Sequence, residues 1–254
     1  MKTTSQAQIT LLRKLKQRKY RNLESRFIIE GERAIDQVII NGVLDVEAIF
    51  VNPSKLDHFT GVNEKLHLME PKYFKELSDT ETPQGFLAIC KIPEPKSMKE
   101  IASKSGIIVA TDSIQDPGNM GTIIRSAVWY GCSALLLGSG SVDVFNPKVV
   151  RSTAGATGIL PYHSGDLSET LELLSGHGWD VLLLDGNKGA VSILEHPLPK
   201  KTVFVVGNEA NGISSDLKES GYKRVLLPSK SPQMYVESLN AGVALSIALA
   251  IVHN

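Results

Sequence analysis

Along this chain the rhythm of hydrophobic positions changes near residue 92. Before it, short apolar runs with strand character occur at Phe27–Ile29, Val46–Val51 and Gly85–Cys90. Between the first two, Glu32–Ile40 has helical spacing, with Ala34, Ile35, Val38 and Ile39 on one side. This pattern predicts a small α/β domain. Ile92-Pro93-Glu94-Pro95-Lys96-Ser97 then interrupts it, and two prolines among polar residues predict an extended connection. Further on, runs that are apolar throughout appear at Gly106–Thr111, Ala134–Leu137, Val181–Leu184, Thr202–Val206 and Arg224–Leu227. They alternate with helical stretches at Gly121–Tyr130, Asp166–His177 and Leu239–Val252. Such alternation predicts a parallel sheet covered by helices on both faces. The expected organisation is a domain over residues 1–92, a linker over 93–104 and a second domain over 105–254.

Ligands of parallel sheets bind beyond the carboxyl ends of the strands, and three strand ends here are unusually polar. The first continues from Thr111 through Asp112-Ser113-Ile114-Gln115 into Asp116-Pro117-Gly118-Asn119, a strong turn signal. Asn119 is a candidate cap for the helix that follows. On that helix Ile123, Ile124, Ala127 and Val128 face the sheet, while Arg125 points away, either as a surface charge or as an anion-binding group. The second strand runs into Gly207-Asn208-Glu209, where Gly207 allows a close backbone approach by a ligand. Glu209 is either a solvated loop carboxylate or a carboxylate facing a site. The third end, Leu226-Leu227-Pro228, leads through a polar loop to Glu237-Ser238-Leu239-Asn240. Ser238 or Asn240 is a good N-cap for the apolar final helix, whose free N–H groups and positive field suit a ligand.

Composition narrows the chemistry mainly by exclusion. With 42% hydrophobic and 21% charged residues among 254, the chain reads as an ordinary globular protein of one or two domains. Its apolar runs are too short to span a bilayer and its N-terminus lacks the shape of a signal peptide, so the expected location is the cytoplasm. Cys90 and Cys132 are far apart and the 6 histidines are scattered, which argues against disulfides and against a metal site. There is no Gly-x-x-x-x-Gly-Lys phosphate loop and no Gly-x-Ser-x-Gly elbow. Gly138-Ser139-Gly140 follows a strand, but Asp143 stands where a dinucleotide fingerprint needs its third glycine.

A formal net charge of zero hides one asymmetry. Arg13, Lys14, Lys16, Arg18, Lys19, Arg21 and Arg26 crowd one stretch in which Glu24 is the only acid, and Tyr20 lies among them. Such a run is either a solvated helix face or a surface that tracks nucleic-acid phosphates.

Taken in order, Asn119 with Arg125, Gly207-Asn208-Glu209 with Gly212, and Ser238-Leu239-Asn240 resemble the three motifs of the SpoU (TrmH) family of RNA 2′-O-ribose methyltransferases, in the SPOUT superfamily. Asn146-Pro147-Lys148-Val149-Val150-Arg151-Ser152-Thr153-Ala154-Gly155 belongs to the same resemblance, which runs from about Ile107 to the C-terminus. Phe27-Ile28-Ile29-Glu30-Gly31 and the following helix are similar, more loosely, to the ribosomal-protein-like RNA-binding domain that many members carry.

The resemblance implies a C-terminal α/β-knot domain, a parallel sheet with a trefoil knot, preceded by a small ribosomal-protein-like α/β domain. It also implies a homodimer that uses S-adenosylmethionine. By position, Gly207, Leu227, Leu239 and Thr153 would lie at the cofactor, and Asn119, Arg125, Glu209, Ser238 and Asn240 at the methyl-transfer site. Arg13, Lys14, Lys16, Arg18, Lys19 and Arg21 are the RNA-binding candidates. Large-subunit ribosomal RNA is the expected substrate. Transfer RNA, or a non-catalytic RNA-binding role on the same scaffold, is the alternative. One departure is the loop Pro228–Val236, longer than the family's usual one and without glycine.

Overall fold

A computed structural model describes residues 2–58, 65–186, 189–197, 199–229, 235 and 238–253. The chain divides into two compact units, residues 1–94 with 143–159, and residues 95–142 with 160–254.

The first unit contains β1 (Lys2–Thr3), α1 (Gln6–Leu15), α2 (Arg18–Glu24), β2 (Arg26–Glu30), α3 (Glu32–Asn41), β3 (Val46–Val51), β4 (Leu66–Leu68), α4 (Pro71–Leu77) and β5 (Phe86–Lys91). Its sheet has the order β1-β4-β3-β5-β2, with β2 and β3 antiparallel to β5 and the β1–β4 and β3–β4 pairs parallel. Leu12 and Leu15 of α1 and Phe74 and Leu77 of α4 cover one face, over Ile28, Phe50, Leu87 and Ile89. The helix predicted at Glu32–Ile40 is α3, and it buries Ile35 and Val38. Helix α1 begins at a capping box in which Ser5 and Gln8 satisfy each other's backbone N–H groups.

Residues 143–159 come late in the sequence but pack with this unit. Their helix (Pro147–Ser152) lies against β2, and the Phe27 and Phe145 rings are 4.9 Å apart. Hydrophobic periodicity does not reveal such a return, because it records which face is apolar and not what covers it.

The second unit holds a seven-stranded sheet, entirely parallel. We number its strands β6 (Gly106–Thr111), β7 (Ala134–Gly138), β8 (Tyr162–Gly165), β9 (Asp180–Leu184), β10 (Val191–Ser192), β11 (Lys201–Val206) and β12 (Lys223–Leu226). They lie in the order β10-β12-β9-β11-β6-β7-β8. Its helices are α5 (Met98–Ala102), α6 (Pro117–Trp129), α8 (Leu167–Gly176), α9 (Ser215–Glu219) and α10 (Ala241–Val252), with α7 being Pro147–Ser152 of the first unit. On one face Ile101, Leu171, Leu174 and Leu217 pack over Ile108, Leu136, Val181 and Val203. Helix α6 packs along α10, and α10 also meets β11. The parallel sheet expected from the continuous apolar runs is therefore present, and all five predicted runs fall within a residue or so of an observed strand.

Two expectations are corrected here. Part of the stretch read as linker, Met98–Ala102, is helical, because Ser97 and Glu100 form a capping box and Ile101 and Ala102 are buried. Helix α6 starts at Pro117 and is capped by Asp116, whose carboxylate accepts the Asn119 N–H at 2.8 Å, so Asn119 is not the cap. Proline suits the first helical position, since its missing N–H would have had no partner there.

Candidate active site

Strands β6 and β11 are neighbours in register, with Val206 opposite Thr111, so their carboxyl ends are level. The Asp112 N–H donates to the Val206 carbonyl at 2.8 Å and extends the ladder one residue into the loops. Asp112 is buried, and its carboxylate accepts the Ser214 N–H at 2.7 Å, holding the far end of the loop after β11.

That loop is closed on itself. Asn208 and Gly212 exchange both backbone hydrogen bonds at 2.9 Å. The Asn208 side-chain oxygen accepts the N–H groups of Ala210 and Asn211 at 3.0 Å, and its amide donates to the Ser113 carbonyl at 2.7 Å. A Cβ on Gly207 would stand 2.3 Å from the Gly212 carbonyl carbon and the Ile213 nitrogen. The missing side chain at Gly207 therefore makes room for the protein's own loop. Asn208 and Asp112 were not singled out in the sequence. An asparagine directly after a strand and glycine is the Asx-turn signal that identifies Asn208.

The closed loop aims Glu209 at the start of α6. Its carboxylate accepts the backbone N–H groups of Gln115 and Asp116 at 3.3 and 3.2 Å and the Asn119 side-chain amide at 2.8 Å. Partial burial pushes the Glu209 carboxyl up. The bond from Asn119, the residue's own N–H and those of Gln115 and Asp116 outweigh it and hold the group below the ordinary range. It is a carboxylate at neutral pH and a weak proton acceptor.

Asn240 joins the third motif to the other two. It caps α10, its side-chain oxygen accepting the Gly242 and Val243 N–H groups at 3.0 and 3.3 Å. Its oxygen being so occupied, the Asn240 amide nitrogen faces outward and donates to the Asn119 side-chain oxygen at 2.7 Å. Asn119 must then turn its own nitrogen to Glu209, so the cap of α10 sets the orientation of both amides. Among the described residues, each asparagine keeps one N–H without a partner. A close contact between α6 and α10 supports the arrangement. A Cβ on Gly242 would lie 2.9 Å from the Thr122 methyl, and the Ser126 and Ser246 hydroxyls are 2.6 Å apart.

Arg125 is exposed on α6 and has no ion pair or hydrogen bond among the described residues. Glu209 is bonded to Asn119 and two backbone N–H groups, not to Arg125. Ser238 and Leu239 are exposed at the approach to α10 and Leu227 is half-buried after β12. Thr153 belongs to the first unit and is buried. Its hydroxyl donates to the Val150 carbonyl at 2.7 Å and lies 2.6 Å from that of Thr157, so it is not available to a ligand. Lys230 to Met234, with Val236 and Glu237, lie outside the described residues. Among the described residues no group of His, Cys, Asp and Glu is arranged to hold a metal.

The basic run divides sharply. Arg21 is fully buried: its guanidinium donates to Asp143 at 3.0 Å through Nε and to the Leu15 and Lys16 carbonyls at 2.9 Å. It holds the 143–159 segment and is not a nucleic-acid contact, a correction to the sequence reading. Arg13 pairs with Glu76 and Lys16 with Asp79. Lys14, Arg18 and Lys19 are exposed and form no ion pair among the described residues.

The loop after β11, the start of α6 and the start of α10 therefore meet through the side chains of Glu209, Asn119 and Asn240. The SpoU rRNA Methylase family model matches residues 106–250, and a model for an MRM3-like substrate binding domain matches residues 6–88. The chain belongs to the SpoU rRNA methylase family. It is 28% identical over 241 residues to the 23S rRNA (guanosine(2553)-2′-O)-methyltransferase RlmP of Bacillus subtilis, covering 95% of this chain and 93% of that protein. A 23S rRNA (adenosine(1067)-2′-O)-methyltransferase of Streptomyces azureus is 26% identical, over 78% of this chain and 73% of that one. Among solved structures, a TrmH-family protein from Porphyromonas gingivalis superposes with a TM-score of 0.84 at 29% identity, over 98% of each chain. An AdoMet-bound rRNA methyltransferase from Sinorhizobium meliloti shares the fold, with a TM-score of 0.82 at 22% identity, over 100% of this chain and 97% of that one.

Proposed function

We propose that the protein is an S-adenosylmethionine-dependent RNA 2′-O-ribose methyltransferase acting on large-subunit ribosomal RNA. The observation that carries this reading is the hydrogen-bonded chain Glu209–Asn119–Asn240, which links the three motifs at one end of a parallel sheet. Family membership and the two 23S rRNA 2′-O-methyltransferase relatives support the substrate class. The residues suit the cofactor: the Gly207 backbone, half-buried Leu227 and exposed Leu239 offer peptide groups and apolar surface at strand ends and a helix start. When bound, S-adenosylmethionine supplies an electrophilic methyl group on a sulfonium sulfur.

The chain's own residues bind and orient the ribose. Arg125, which has no partner among the described residues, clamps the adjacent phosphate and faces the negative charge that develops on O2′. The spare N–H groups of Asn240 and Asn119 donate to O2′ or its neighbour, and Ser238 helps to fix the hydroxyl's direction. Glu209 acts by holding Asn119, because a carboxylate already bonded by Asn119 and the backbone N–H groups of Gln115 and Asp116 is poorly suited to taking the O2′ proton, which leaves to solvent water as the methyl group transfers. The first unit grips RNA through its basic helices. The C-terminal α/β domain is a trefoil knot and the active unit is a homodimer. Leu239, Val243, Ile247 and Trp129 are all exposed on α10, the approach to it and its neighbour α6, an apolar face that a second copy would cover. The protein works in the cytoplasm.

Calorimetry with S-adenosylmethionine, with and without a chelator, is the first test, and chelator-insensitive binding is expected. The second is mapping of 2′-O-methyl positions in ribosomal RNA from cells with and without the protein. Lack of cofactor binding, or identical maps, would sink the proposal.

A further inference from the structure

The helical hairpin α1–α2 carries more than positive charge. Tyr20 is half-buried on α2, and two ammonium groups lie against its ring, Lys14 Nζ at 5.5 Å and Lys19 Nζ at 5.9 Å from the centroid. Lys14 also lines an open groove of about 400 Å³, together with Ala7, Leu11, Gln6, Thr10 and Glu24. Its lining mixes the apolar Ala7 and Leu11 with the polar Gln6, Thr10 and Glu24. Leu23, one turn past Lys19, is 71% exposed. Lys14 and Lys19 at the ring, and Arg18 at the start of the same helix, are exposed and form no ion pair among the described residues, whereas Arg13 and Lys16 are neutralised by Glu76 and Asp79.

We infer that this hairpin is a binding site for single-stranded RNA, in which an unpaired base stacks on Tyr20 while Lys14, Arg18 and Lys19 hold the flanking phosphates. The inference rests on the RNA-methyltransferase reading and deepens it by stating what form of RNA the first unit takes. An aromatic ring flanked by ammonium groups has nothing to stack on in a continuous A-form helix, whose bases are already stacked. A loop or bulge offers free base faces. Stacking on a ring tolerates any base, because every base has a π face, and the surrounding cations supply the salt-dependent part of the affinity. The polar groove residues Thr10, Gln6 and Glu24 give a splayed base hydrogen-bonding partners.

The two contributions separate by their salt dependence. The test uses the full-length protein with a short unstructured RNA oligonucleotide and the corresponding RNA duplex, titrated over a range of salt concentrations. Wild-type protein should prefer the single strand. Tyr20→Ala should weaken single-strand binding by roughly 5- to 100-fold, leaving the log–log salt slope unchanged and duplex binding hardly affected. Tyr20→Phe should remain within about twofold of wild type, since it retains the ring. Tyr20→Leu keeps apolar packing without the ring, and if folding is intact it should behave like Tyr20→Ala. Replacing Lys14, Arg18 and Lys19 together by alanine should lower the slope by about 2, at about 0.7 for each phosphate no longer neutralised. Equal binding of single strand and duplex by the wild type would overturn the inference. So would single-strand affinity in Tyr20→Leu equal to wild type, or loss of affinity in Tyr20→Phe. S-adenosylmethionine binding, measured in parallel, is expected to be unchanged in every variant. Its absence in the wild type would sink the methyltransferase reading separately.

Discussion

The α1–α2 hairpin and the strand-end site solve opposite problems. The hairpin has an excess of cations in its sequence and spends several of them internally. Arg21 is buried against Asp143 and two carbonyls, and Arg13 and Lys16 are paired, which leaves Lys14, Arg18 and Lys19 to solvent. The strand-end site has few charges and locks neutral amides in place through the cap of α10, leaving Arg125 without a partner among the described residues. A buried arginine whose donors are taken builds structure, whereas an exposed one with none is available to a ligand. Counting charges along the chain treats Arg21 and Arg125 alike; burial separates them.

The strongest way to break this contrast is to remove each arginine in turn. Arg21→Ala should destabilise the first unit by about 3–5 kcal/mol, because it empties a fully buried site and leaves half-buried Asp143 without its cation, and denaturant unfolding reads this directly. Arg21→Met combined with Asp143→Leu should recover most of the loss. A cost of Arg21→Ala within about 0.5 kcal/mol would show that the pair is not structural.

Arg125→Ala should leave stability and cofactor affinity near wild type and reduce methyl transfer by roughly 100- to 1,000-fold. Arg125→Lys should regain little, since a point charge does not replace a planar fork. Near-normal turnover in either variant would remove Arg125 from the site.

Asn119→Ala tests the amide chain. It strips Glu209 of its side-chain donor and Asn240 of its acceptor, at a cost of about 1–3 kcal/mol in stability. Turnover should fall further than this destabilisation explains, since the Asn119 N–H assigned to the ribose hydroxyl is lost while the α10 cap still orients Asn240. Turnover matching the wild type in the folded fraction would separate the chain from catalysis.

Glu209→Gln addresses acid sensitivity. The folded Glu209 carboxyl lies below its ordinary value of 4.5, so it contributes stability above that pH and loses it as pH falls through the lower folded value. The variant should therefore show a shallower loss of stability below about pH 4.5 than the wild type. Parallel acid-unfolding curves would contradict the carboxylate's role in tying the loop to α6.

The smallest effect expected is in the paired cations. Neutralising Arg13 and Lys16 should change the salt slope of RNA binding by well under the about 0.7 per residue expected for free phosphate contacts. A full reduction for each would show that RNA displaces Glu76 and Asp79.

The cysteines belong to neither region. Cys90 and Cys132 are both buried, and burial pushes each thiol up to about 12, so they are packing residues rather than nucleophiles.

Much of the second unit was legible from the chain. Apolar runs such as Val203–Val206, alternating with helical stretches, read as strands buried on both faces, and Ser238 or Asn240 before an uncharged Ala- and Leu-rich stretch reads as a cap, which the structure gives to Asn240. Both signals are local, arising from periodicity and from a backbone N–H that needs a partner. Short elements such as β4, α4 and α5 were missed, because a few residues do not complete a period and tertiary packing supplies their stability. The sequence by itself therefore determined the strand–helix alternation, the polar strand ends and the order of the three motifs. Only the tertiary structure decided that Gly207 is occupied by its own loop, that Glu209 holds Asn119, that residues 143–159 pack with the first unit and that Arg21 is buried while Arg125 is exposed. Apart from the Gly207 loop, these features depend on residues far apart along the chain, and the charge or size of a side chain says nothing about which distant group will meet it.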